Sequence, residues 1–364
     1  MQKWEKIRFS FLKLARISKR LQKMWLGWRN SSKKIYFYHR TSEYKKMWQA
    51  IAERVGARFT ALDEDTWELE LSGKKTRMFN HQLEFDNPVI LGMAGKKPFI
   101  HRILHEKGIP VPEHIVFNLT ELDKAYEFLK RHPEGCVIKP ANNTHAGDGV
   151  TTHILKNREV RRAVILASLY CPDILMEPQI SGECYRLLVL GGKMVHAVRR
   201  SGPRLKGDGL STVVELINAE NDRLRSEGRD ILKIDRDCLF ALGWQRLSLN
   251  AIPEKGRVII IKTVNDPLGR SAELRTVYNE TVTDMICDSV RKSAELAANI
   301  LNSDFVGIDM IMTDPTIPLE QSGGIINEVN TTPALHHHYN AEAEMYPQPA
   351  IQALYLLLER ARPS

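Results

Sequence analysis

The apolar positions of the chain change period along its length, and each period predicts an element. Apolar side chains at three- and four-residue steps predict helices from Tyr44 to Val55, after Lys96, after Thr120 and from Asp288 to Leu301. Alternation of apolar and polar residues from Arg58 to Leu71 predicts strands. Short apolar runs between turn residues predict further strands at 35–38, 89–91, 136–140, 150–155, 173–176, 187–190, 194–198, 258–261, 306–312 and 325–329. The mixture predicts an α/β (α+β) protein.

Residues 1–34, called the basic leader below, differ from the rest in pattern and charge. Their apolar side chains recur at helical steps and predict an amphipathic helix with a stripe of Trp4, Ile7, Phe11, Leu14, Leu21, Trp25 and Trp28. The leader holds eleven Lys and Arg against one acid, a net charge of +10. Because the whole chain carries +8, residues 35–364 sum to −2. The high pI therefore gives no reason to expect a specific nucleic-acid partner for the body.

The leader has several interpretations. Its stripe packs on the body or on a second subunit, as most amphipathic helices do. Alternatively, its basic and aromatic residues dock on an anionic membrane surface. A cleaved targeting peptide and a nucleic-acid-binding arm are the remaining interpretations.

Length and composition narrow the class of protein. The 364 residues exceed what one hydrophobic core usually serves, so we expect several domains. Apolar residues make up 43% and charged residues 26%, which excludes a disordered or fibrous protein. The chain contains no run of about 20 apolar residues, so the sequence predicts no transmembrane helix. The five cysteines form no C-x-x-C pair, so we expect reduced thiols and a cytoplasmic location.

Two apolar strands near the end of the chain each carry a carboxylate, Asp309 in the first and Glu328 in the second. An unpaired buried carboxylate is costly, so each is expected to meet a cation. If the strands are neighbours, Asp309 and Glu328 converge with Asn330, which shares a face with Glu328. Three oxygen ligands suit Mg²⁺ that is shared with phosphate oxygens. A structural salt bridge within the sheet is the alternative.

Two lysines predict a place for those phosphates. Lys139 ends a buried strand directly before a polar loop, and Lys97 begins a helix. A lysine suits phosphate oxygens, although each lysine alone is equally compatible with a solvated surface position. The loop at 142–149 adds backbone N–H groups that could hold a phosphate, with Thr144, Gly147 and Gly149 among its residues. Neither a P-loop nor a Rossmann motif is present, which counts against a dinucleotide enzyme.

Two further motifs have weaker interpretations. The stretch from Met176 to Glu183 ends a strand with an acid and offers backbone groups to a planar base. His336, His337 and His338 are consecutive, so their side chains diverge and do not share one metal ion. We expect one of them to line the substrate side of the metal strand and the others to pack or lie at the surface.

In order, these motifs resemble the ATP-grasp fold over residues 93–345. The series is Lys97 before G-I-P-V-P at 108–112, V-I-K-P at 137–140, the loop to Gly149, E-x-x-I-x-G at 177–182, Asp309, and E-x-N at 328–330. Within that fold the chain is most similar to the ATP-grasp region of cyanophycin synthetases. The matching stretches are G-E-C-Y-R-L-L-V at 182–189, G-K-M-V at 192–195, G-D-G at 207–209 and the ending at 327–338. It is also similar to ligases of the D-alanine–D-alanine ligase and glutathione synthetase type.

The resemblance implies a domain order and a nucleotide site. After the leader come a small α/β domain at 35–92, an ATP-grasp N-terminal lobe at 93–175 and a C-terminal lobe at 176–364. ATP would lie between the two lobes, with its phosphates on Lys97 and Lys139 and the loop at 142–149 closed over them. The adenine and ribose contacts are implied for Glu177, Gln179, Ile180 and Glu183, with Cys184 as the alternative to Glu183 for the ribose.

The resemblance also implies the metal ions and the chemistry. One or two Mg²⁺, with Mn²⁺ as a substitute, would bind the set Asp309, Glu328 and Asn330. The activated carboxylate would be anchored by Arg186, Arg200 and Lys262. The cyanophycin synthetases carry a further Mur-ligase-like domain with no counterpart here, so a single ligation is expected.

The implied function is an ATP-dependent carboxylate–amine ligase that forms an amide or peptide bond through an acylphosphate. The expected substrates are an amino acid or short peptide with a carboxylate, and an amine. An ATP-grasp kinase or phosphotransferase without amide formation is the alternative. A nucleotide-binding or membrane-docked partner protein that works through its leader is a third hypothesis. We also expect a homo-oligomer and peripheral docking, on a membrane or a partner, through residues 1–34.

Overall fold

A computed structural model of the chain describes residues 12–22, 32–142, 147–227, 231–262, 278–339 and 344–361. The chain divides into two compact units, Met1–Arg199 with Thr281–Ser364 and Arg200–Glu280. Among the described residues, no helix has the length and hydrophobicity that crossing a bilayer requires. The helices are α1 (residues 12–22), α2 (Ser32–Val55), α3 (Pro88–Ala94), α4 (Lys97–His105), α5 (Leu122–Arg131), α6 (Asn157–Ala167), α7 (Val213–Ser226), α8 (Arg236–Trp244), α9 (Asp288–Leu301) and α10 (Gln348–Arg360).

The strands form four antiparallel sheets. A meander has the order β1-β2-β3-β4, a covering sheet the order β5-β8-β6-β7, a central sheet the order β13-β10-β9-β14-β15, and β11 pairs with β12. Their bounds are β1 Arg58–Ala61, β2 Thr66–Leu71, β3 Lys74–Phe79, β4 Gln82–Leu83, β5 Ile115–Phe117, β6 Cys136–Pro140, β7 Thr151–Ile154, β8 Ile174–Pro178, β9 Glu183–Leu190, β10 Lys193–Arg200, β11 Arg204–Lys206, β12 Val258–Ile260, β13 Glu280–Thr281, β14 Phe305–Met312 and β15 Ile325–Thr331.

The central sheet packs against a core on each of its faces. Residues along a strand alternate between the two faces, so one strand contributes to both cores. On β9, Tyr185, Leu187 and Val189 belong to one core, which also contains residues of α4 and α9. Leu188 and Leu190 belong to a second core, which contains residues of α2, the meander and α10. The strand is therefore a nearly continuous apolar run in which a charged residue stands out.

The covering sheet carries its helices α5 and α6 over a core of its own. Ile138 and Met176 from the sheet pack there with Phe128 of α5 and Val164 of α6. Leu12 of α1 belongs to the same core. This arrangement fixes β6 and β8, the two strands whose ends carry Lys139 and Glu177.

The second unit has a separate core. Val213 and Ile217 of α7 pack there with Cys238 and Leu242 of α8 and with Ile259 of β12. Helix α7 begins with the capping box that Thr212 and Glu215 predict: the Thr212 hydroxyl accepts from the Glu215 N–H, and the Glu215 carboxylate accepts from the Thr212 N–H.

Three local expectations from the sequence are wrong. Residues 35–38 and 89–91 were expected as strands, yet they lie within the helices α2 and α3. The aromatic run at 35–38 has strand propensity, but it continues into a helix whose Tyr44, Trp48 and Ile51 are buried in the second core. Tertiary packing therefore outweighs the local preference. Thr120 does not cap α5; its hydroxyl instead donates to Asn118 Oδ1 at 2.6 Å.

The residues directly before and at the start of helix α3 explain why the helix forms there. Asn87 Oδ1 accepts from the backbone N–H groups of Val89 at 2.9 Å and Ile90 at 3.1 Å. Pro88 follows at the first helical position, where its missing N–H costs nothing. An Asn-Pro pair is thus a helix start here rather than a strand entry.

We expect Asn87→Ala to lower the free energy of unfolding by about 1 kcal/mol, because loss of the cap leaves two backbone N–H groups unpaired. Urea unfolding followed by circular dichroism measures the change. Asn87→Asp keeps an acceptor oxygen and is the matched control, with stability near that of the unchanged protein. Equal stability of the Ala and Asp variants would contradict the capping role.

Candidate active site

The site is centred on two carboxylates that face each other across neighbouring strands. Strands β14 and β15 are paired and antiparallel, with Asp309 directly opposite Glu328. The register shifts by a bulge immediately after Asp309. Like charges directly opposite each other in a sheet repel, and burial strengthens the repulsion. The pair is therefore stable only if cations or a change of protonation offset it.

The first cation is Arg186 on β9, the strand on the other side of β14. Its register partner is Asp309, so the two side chains project from the same face. Arg186 Nη2 donates to Asp309 Oδ2 at 2.7 Å, and its Nε donates to the other carboxylate oxygen. Both side chains are buried. Asn330 Nδ2 also donates to Asp309 Oδ2, at 3.2 Å, so Asp309 is held from both neighbouring strands.

Gly307 makes room for the Arg186 side chain. It lies two residues before Asp309 on the same face of β14. A Cβ at this position would come within 2.7 Å of Arg186 Cδ and 3.1 Å of Pro333 Cβ. Any larger residue would therefore push the guanidinium away from Asp309.

The second cation is Lys97, the first residue of α4. Its Nζ lies 3.4 Å from Glu328 Oε1. The start of the helix is fixed to the end of β6, because the Lys97 N–H donates to the Ala141 carbonyl at 3.2 Å. The Lys97 side chain is 9% exposed whereas that of Glu328 is 30% exposed, so Glu328 has the open side that a ligand needs.

The third cation is Lys139 on β6. Its Nζ lies 2.7 Å from Glu177 Oε1 on β8, and both side chains are buried. The pairing is diagonal, because Val137 is the residue directly opposite Glu177. Lys139 also donates to Asn327 Oδ1 at 3.2 Å. This bond joins the covering sheet to β15, so the lysine spans the gap between the two sheets.

The site is electrically balanced as it stands. Its three ion pairs are Lys97 with Glu328, Lys139 with Glu177, and Arg186 with Asp309. Removing either partner would leave an uncompensated buried charge, which costs several kcal/mol by order of magnitude. A polyanion that brings its own cations could exchange partners with these pairs, its anionic oxygens binding the lysines and its cations binding the carboxylates.

His101 lies one helical turn after Lys97 and is kept neutral. Its Nε2 donates to the carbonyl of Asn327 at 3.0 Å, which ties α4 to β15. Burial, followed by the positive charge of Lys139, lowers the pKa of His101 to about 3. A second proton would add a fourth cation to the site, so the neutral form is the one that fits.

The structure brings together part of the predicted nucleotide set. Gln179 is held by its backbone, whose N–H donates to the Gly135 carbonyl at 2.9 Å, and its Oε1 accepts from the His153 N–H at 3.0 Å. Ile180 and Glu183 follow and are half-buried. Gly149 has φ +76, and a Cβ there would lie 2.9 Å from Pro140 Cγ, so the loop end packs closely on β6.

Other predicted residues have less definite places. Gly147 has φ +76, and Thr144 lies outside the described residues. Arg200 and Lys262 belong to the second unit, where Lys262 is buried and paired with Asp235. Their part in the site stays a prediction.

Of the three consecutive histidines, His336 and His338 contact different groups, whereas His336 and His337 contact each other. His336 Nδ1 lies 2.7 Å from the Tyr44 hydroxyl, and His338 Nδ1 lies 3.1 Å from His196 Nδ1. His337 contacts the His336 ring, with 4.2 Å between ring centroids. In the part of the chain that the structure describes, no three His, Cys, Asp or Glu side chains form a group that could hold a metal ion. Asp309 and Glu328 would therefore need oxygens from Asn330 and from a bound phosphate.

Sequence reasoning missed three residues of this site. Asn327 was passed over because its neighbours carry the charge, and His101 because a lone histidine on a helix has no motif. Gly307 was read only as part of a strand. A glycine two positions before a strand carboxylate is the one local signal that marks a long side chain crossing from the next strand.

The chain is similar in sequence to larger proteins. Over 264 residues it is 33% identical to a cyanophycin synthetase from Nostoc sp., covering 70% of this chain and 28% of that protein. Over 271 residues it is 28% identical to a glutathione biosynthesis bifunctional protein from Listeria welshimeri, covering 70% of this chain and 32% of that protein. The chain thus spans less than a third of the length of these relatives. No protein-family model matches it.

A solved structure shows the same fold. The bifunctional glutathione synthetase from Pasteurella multocida aligns with a TM-score of 0.57 at 19% identity, over 87% of this chain and 43% of that chain. The shared part includes most of the elements described above, and the likeness extends to the fold alone.

The neutral state of His101 makes stability depend on pH. Between pH 6.5 and about 3 the unfolded chain binds a proton that the folded His101 rejects, so stability falls as pH falls through this window. The loss from this group reaches about 1.4 kcal/mol per pH unit. Urea unfolding at several pH values should show a shallower dependence in His101→Gln. His105→Gln, at an exposed position on the same helix, should keep the original slope; equal slopes in all three proteins would contradict the assignment.

Gly307→Ala should destabilise the protein by about 1–3 kcal/mol, because the added methyl group displaces the Arg186 side chain. The cost should be clearly smaller in an Arg186→Ala background, since the crowded Cδ atom is then absent. A double-mutant cycle from urea unfolding measures this coupling. An identical cost in both backgrounds would show that Pro333, and not Arg186, is the group that is crowded.

Proposed function

We propose that this chain, which has the ATP-grasp fold, is an ATP-dependent ligase that joins a carboxylate to an amine through an acylphosphate. The observation that carries the proposal is the facing pair Asp309 and Glu328, each paired with a cation, Arg186 of β9 and Lys97 of α4. Phosphoryl transfer needs charge neutralisation and in-line placement more than covalent help from the protein. The cluster supplies the first of these.

The lysines are proposed to bind the phosphates. Lys97 lies at a helix start and Lys139 near a strand end, and the Lys97 N–H bond to the Ala141 carbonyl joins the two segments. Each is now paired with a carboxylate at 3.4 Å or 2.7 Å, and phosphate oxygens would replace or share that partner. The adenine is proposed to contact Glu177, Gln179 and Ile180, mainly through their backbone groups. The ribose is proposed to contact Glu183, with Cys184 as the alternative. Glycines at 147 and 149, in the segment that joins β6 to β7, would let the backbone approach the phosphates without a Cβ.

The residues present fit a divalent cation shared with ATP. Glu328 and Asn330 share one face of β15, and Asp309 lies opposite Glu328, so three oxygen-bearing side chains meet at one place. Mg²⁺ typically takes one or two carboxylates and completes its shell with phosphate and water. When bound, the metal supplies a Lewis acid that neutralises the charge of the transferring phosphoryl group. One or two ions, and Mn²⁺ as a substitute, are part of the proposal.

Arg186 is proposed to stabilise the oxyanions of the reaction. It is buried beside the phosphate end of the site and stays charged at any working pH. Its bidentate contact with Asp309 aims the guanidinium along β14.

The proposed reaction has two steps. The substrate carboxylate attacks the γ-phosphate to give an acylphosphate and ADP. The amine then attacks the acyl carbon, forming the amide and releasing phosphate. Arg200 and Lys262 remain proposed anchors for the carboxylate.

The substrate class, the oligomeric state and the cellular compartment are also part of the proposal. The substrate is an amino acid or a short peptide, as the resemblance to cyanophycin synthetases implies. A homo-oligomer is proposed. All five cysteines are free thiols, which supports a reducing, cytoplasmic compartment.

The test is product release in the presence of both substrates. Amino acids and short peptides are screened for ADP and phosphate release that requires a carboxylate and an amine together. Glu328→Gln and Asp309→Asn should lower the rate about 100-fold or more, because each removes charge from the transferring group's site. Asp304→Asn is the matched control, since Asp304 directly precedes β14 but lies at the surface with Arg360; its rate should not change.

Two results would contradict the proposal. ADP release that needs only the first substrate and leaves a stable phosphorylated product would identify a kinase or phosphotransferase instead. A rate in Glu328→Gln equal to that of the Asp304→Asn control would remove the facing carboxylates from the reaction.

A further inference from the structure

Helix α1, within the basic leader, attaches to the body through the face that carries Leu12 and Arg16. Leu12 is 8% exposed and belongs to the core beneath the covering sheet. One turn later, Arg16 Nη2 donates to the carbonyl of Ser168 at 3.0 Å. These two contacts orient the helix, because residues four apart lie on the same side.

The apolar stripe of α1 points the other way. Leu14 is 63% exposed, Ile17 53% and Leu21 60%. Spacings of three and four residues put them on one face, which a turn of 100° per residue places nearly opposite Leu12 and Arg16. The expectation that this stripe packs on the body is therefore wrong for the described residues: the helix is held by its other side, and the stripe is left for a different occupant.

The sequence around α1 indicates the chemistry of that occupant. The leader has eleven basic residues and one acid, and Lys13 and Arg20 beside the stripe are exposed. Three of the chain's six tryptophans fall in the same 34 residues. Basic side chains, tryptophan and exposed leucine together are the composition of helices that lie in the interface of an anionic bilayer.

We infer that α1 is a docking surface for an anionic lipid bilayer, with Leu14, Ile17 and Leu21 inserted and Arg20 at the headgroup level. The covering sheet would then face the membrane, because α1 is fixed to it through Leu12. Anionic lipids give the cytoplasmic leaflet a negative surface potential that attracts such a segment. The surface does not include the ion pairs of the candidate active site, so the inference is independent of the ligase proposal.

Electrostatics separates this occupant from the others. A second copy would bring two leaders of +10 together, and the body of that copy, at −2, offers little attraction. A nucleic acid would meet the charge but would leave the three apolar side chains in water. Only a surface that is anionic outside and apolar beneath satisfies both halves of the helix.

The test uses the full chain and vesicles in a co-sedimentation assay. Vesicles of phosphatidylcholine with phosphatidylglycerol should bind the protein, high salt should weaken the binding, and phosphatidylcholine alone should not bind it. Replacing the stripe by Leu14→Asp, Ile17→Asp and Leu21→Asp should lower the partition coefficient about tenfold or more. Replacing Lys13 and Arg20 by Gln should lower it about 25-fold, since each basic residue near an anionic surface contributes about fivefold.

A matched control places the same three charges on other exposed apolar positions of helices. Val89→Asp, Leu239→Asp and Leu296→Asp lie on residues that are 69%, 52% and 43% exposed. This control should bind vesicles as the unchanged protein does. Circular dichroism confirms that each variant is folded.

Four outcomes would overturn the inference. The first is that the unchanged protein does not bind anionic vesicles, and the second is that it binds neutral vesicles equally well. The third is that the stripe variant binds vesicles as the control does. The fourth is that single-stranded RNA binds the protein and that only the charge variant loses this binding. A dimer that forms without vesicles and is dissolved by the stripe variant would assign the surface to a second copy.

Discussion

The structure has to offset the repulsion between Asp309 and Glu328. Strand pairing places these two carboxylates directly opposite each other in a largely buried sheet. A sheet tolerates such a pair only if cations reach it. Arg186 reaches it from the next strand, and Lys97 from the start of α4. Lys139 extends the cluster to the covering sheet by way of Asn327. Each of these contacts requires a particular register, so the charges also fix how the elements meet.

This constraint explains how the exposed edge of the central sheet is closed. Strand β15 is the last strand, and its outward backbone groups would otherwise be open to another chain. The Ile326 N–H donates to the Pro110 carbonyl at 2.8 Å, and His101 donates to the Asn327 carbonyl at 3.0 Å. The segment that closes the edge is therefore the same one that delivers Lys97. Closing the sheet and assembling the charges are one structural event.

The sequence predicted most of the fold and half of the site, for physical reasons. The fold class is confirmed, and strands such as β14 and the helix from Asp288 to Leu301 were predicted from local period. The run at 35–38 was not, because packing against distant residues decided it. In the site, the meeting of Asp309 with Glu328 followed from two local patterns. The contacts of Arg186 with Asp309 and of Asn327 with Lys139 could not, since the partners are 123 and 188 residues apart in the chain.

The central claim is that the facing carboxylates and their cations form one site for a nucleotide and a divalent ion. The most direct test is calorimetric titration of a non-hydrolysable ATP analogue into the protein, with Mg²⁺ and with chelator. The account predicts tight binding with Mg²⁺ and weak binding without it, and loss of this difference in Glu328→Gln. Binding that is the same with Mg²⁺ and with chelator, or that keeps its Mg²⁺ dependence in Glu328→Gln, would contradict the account.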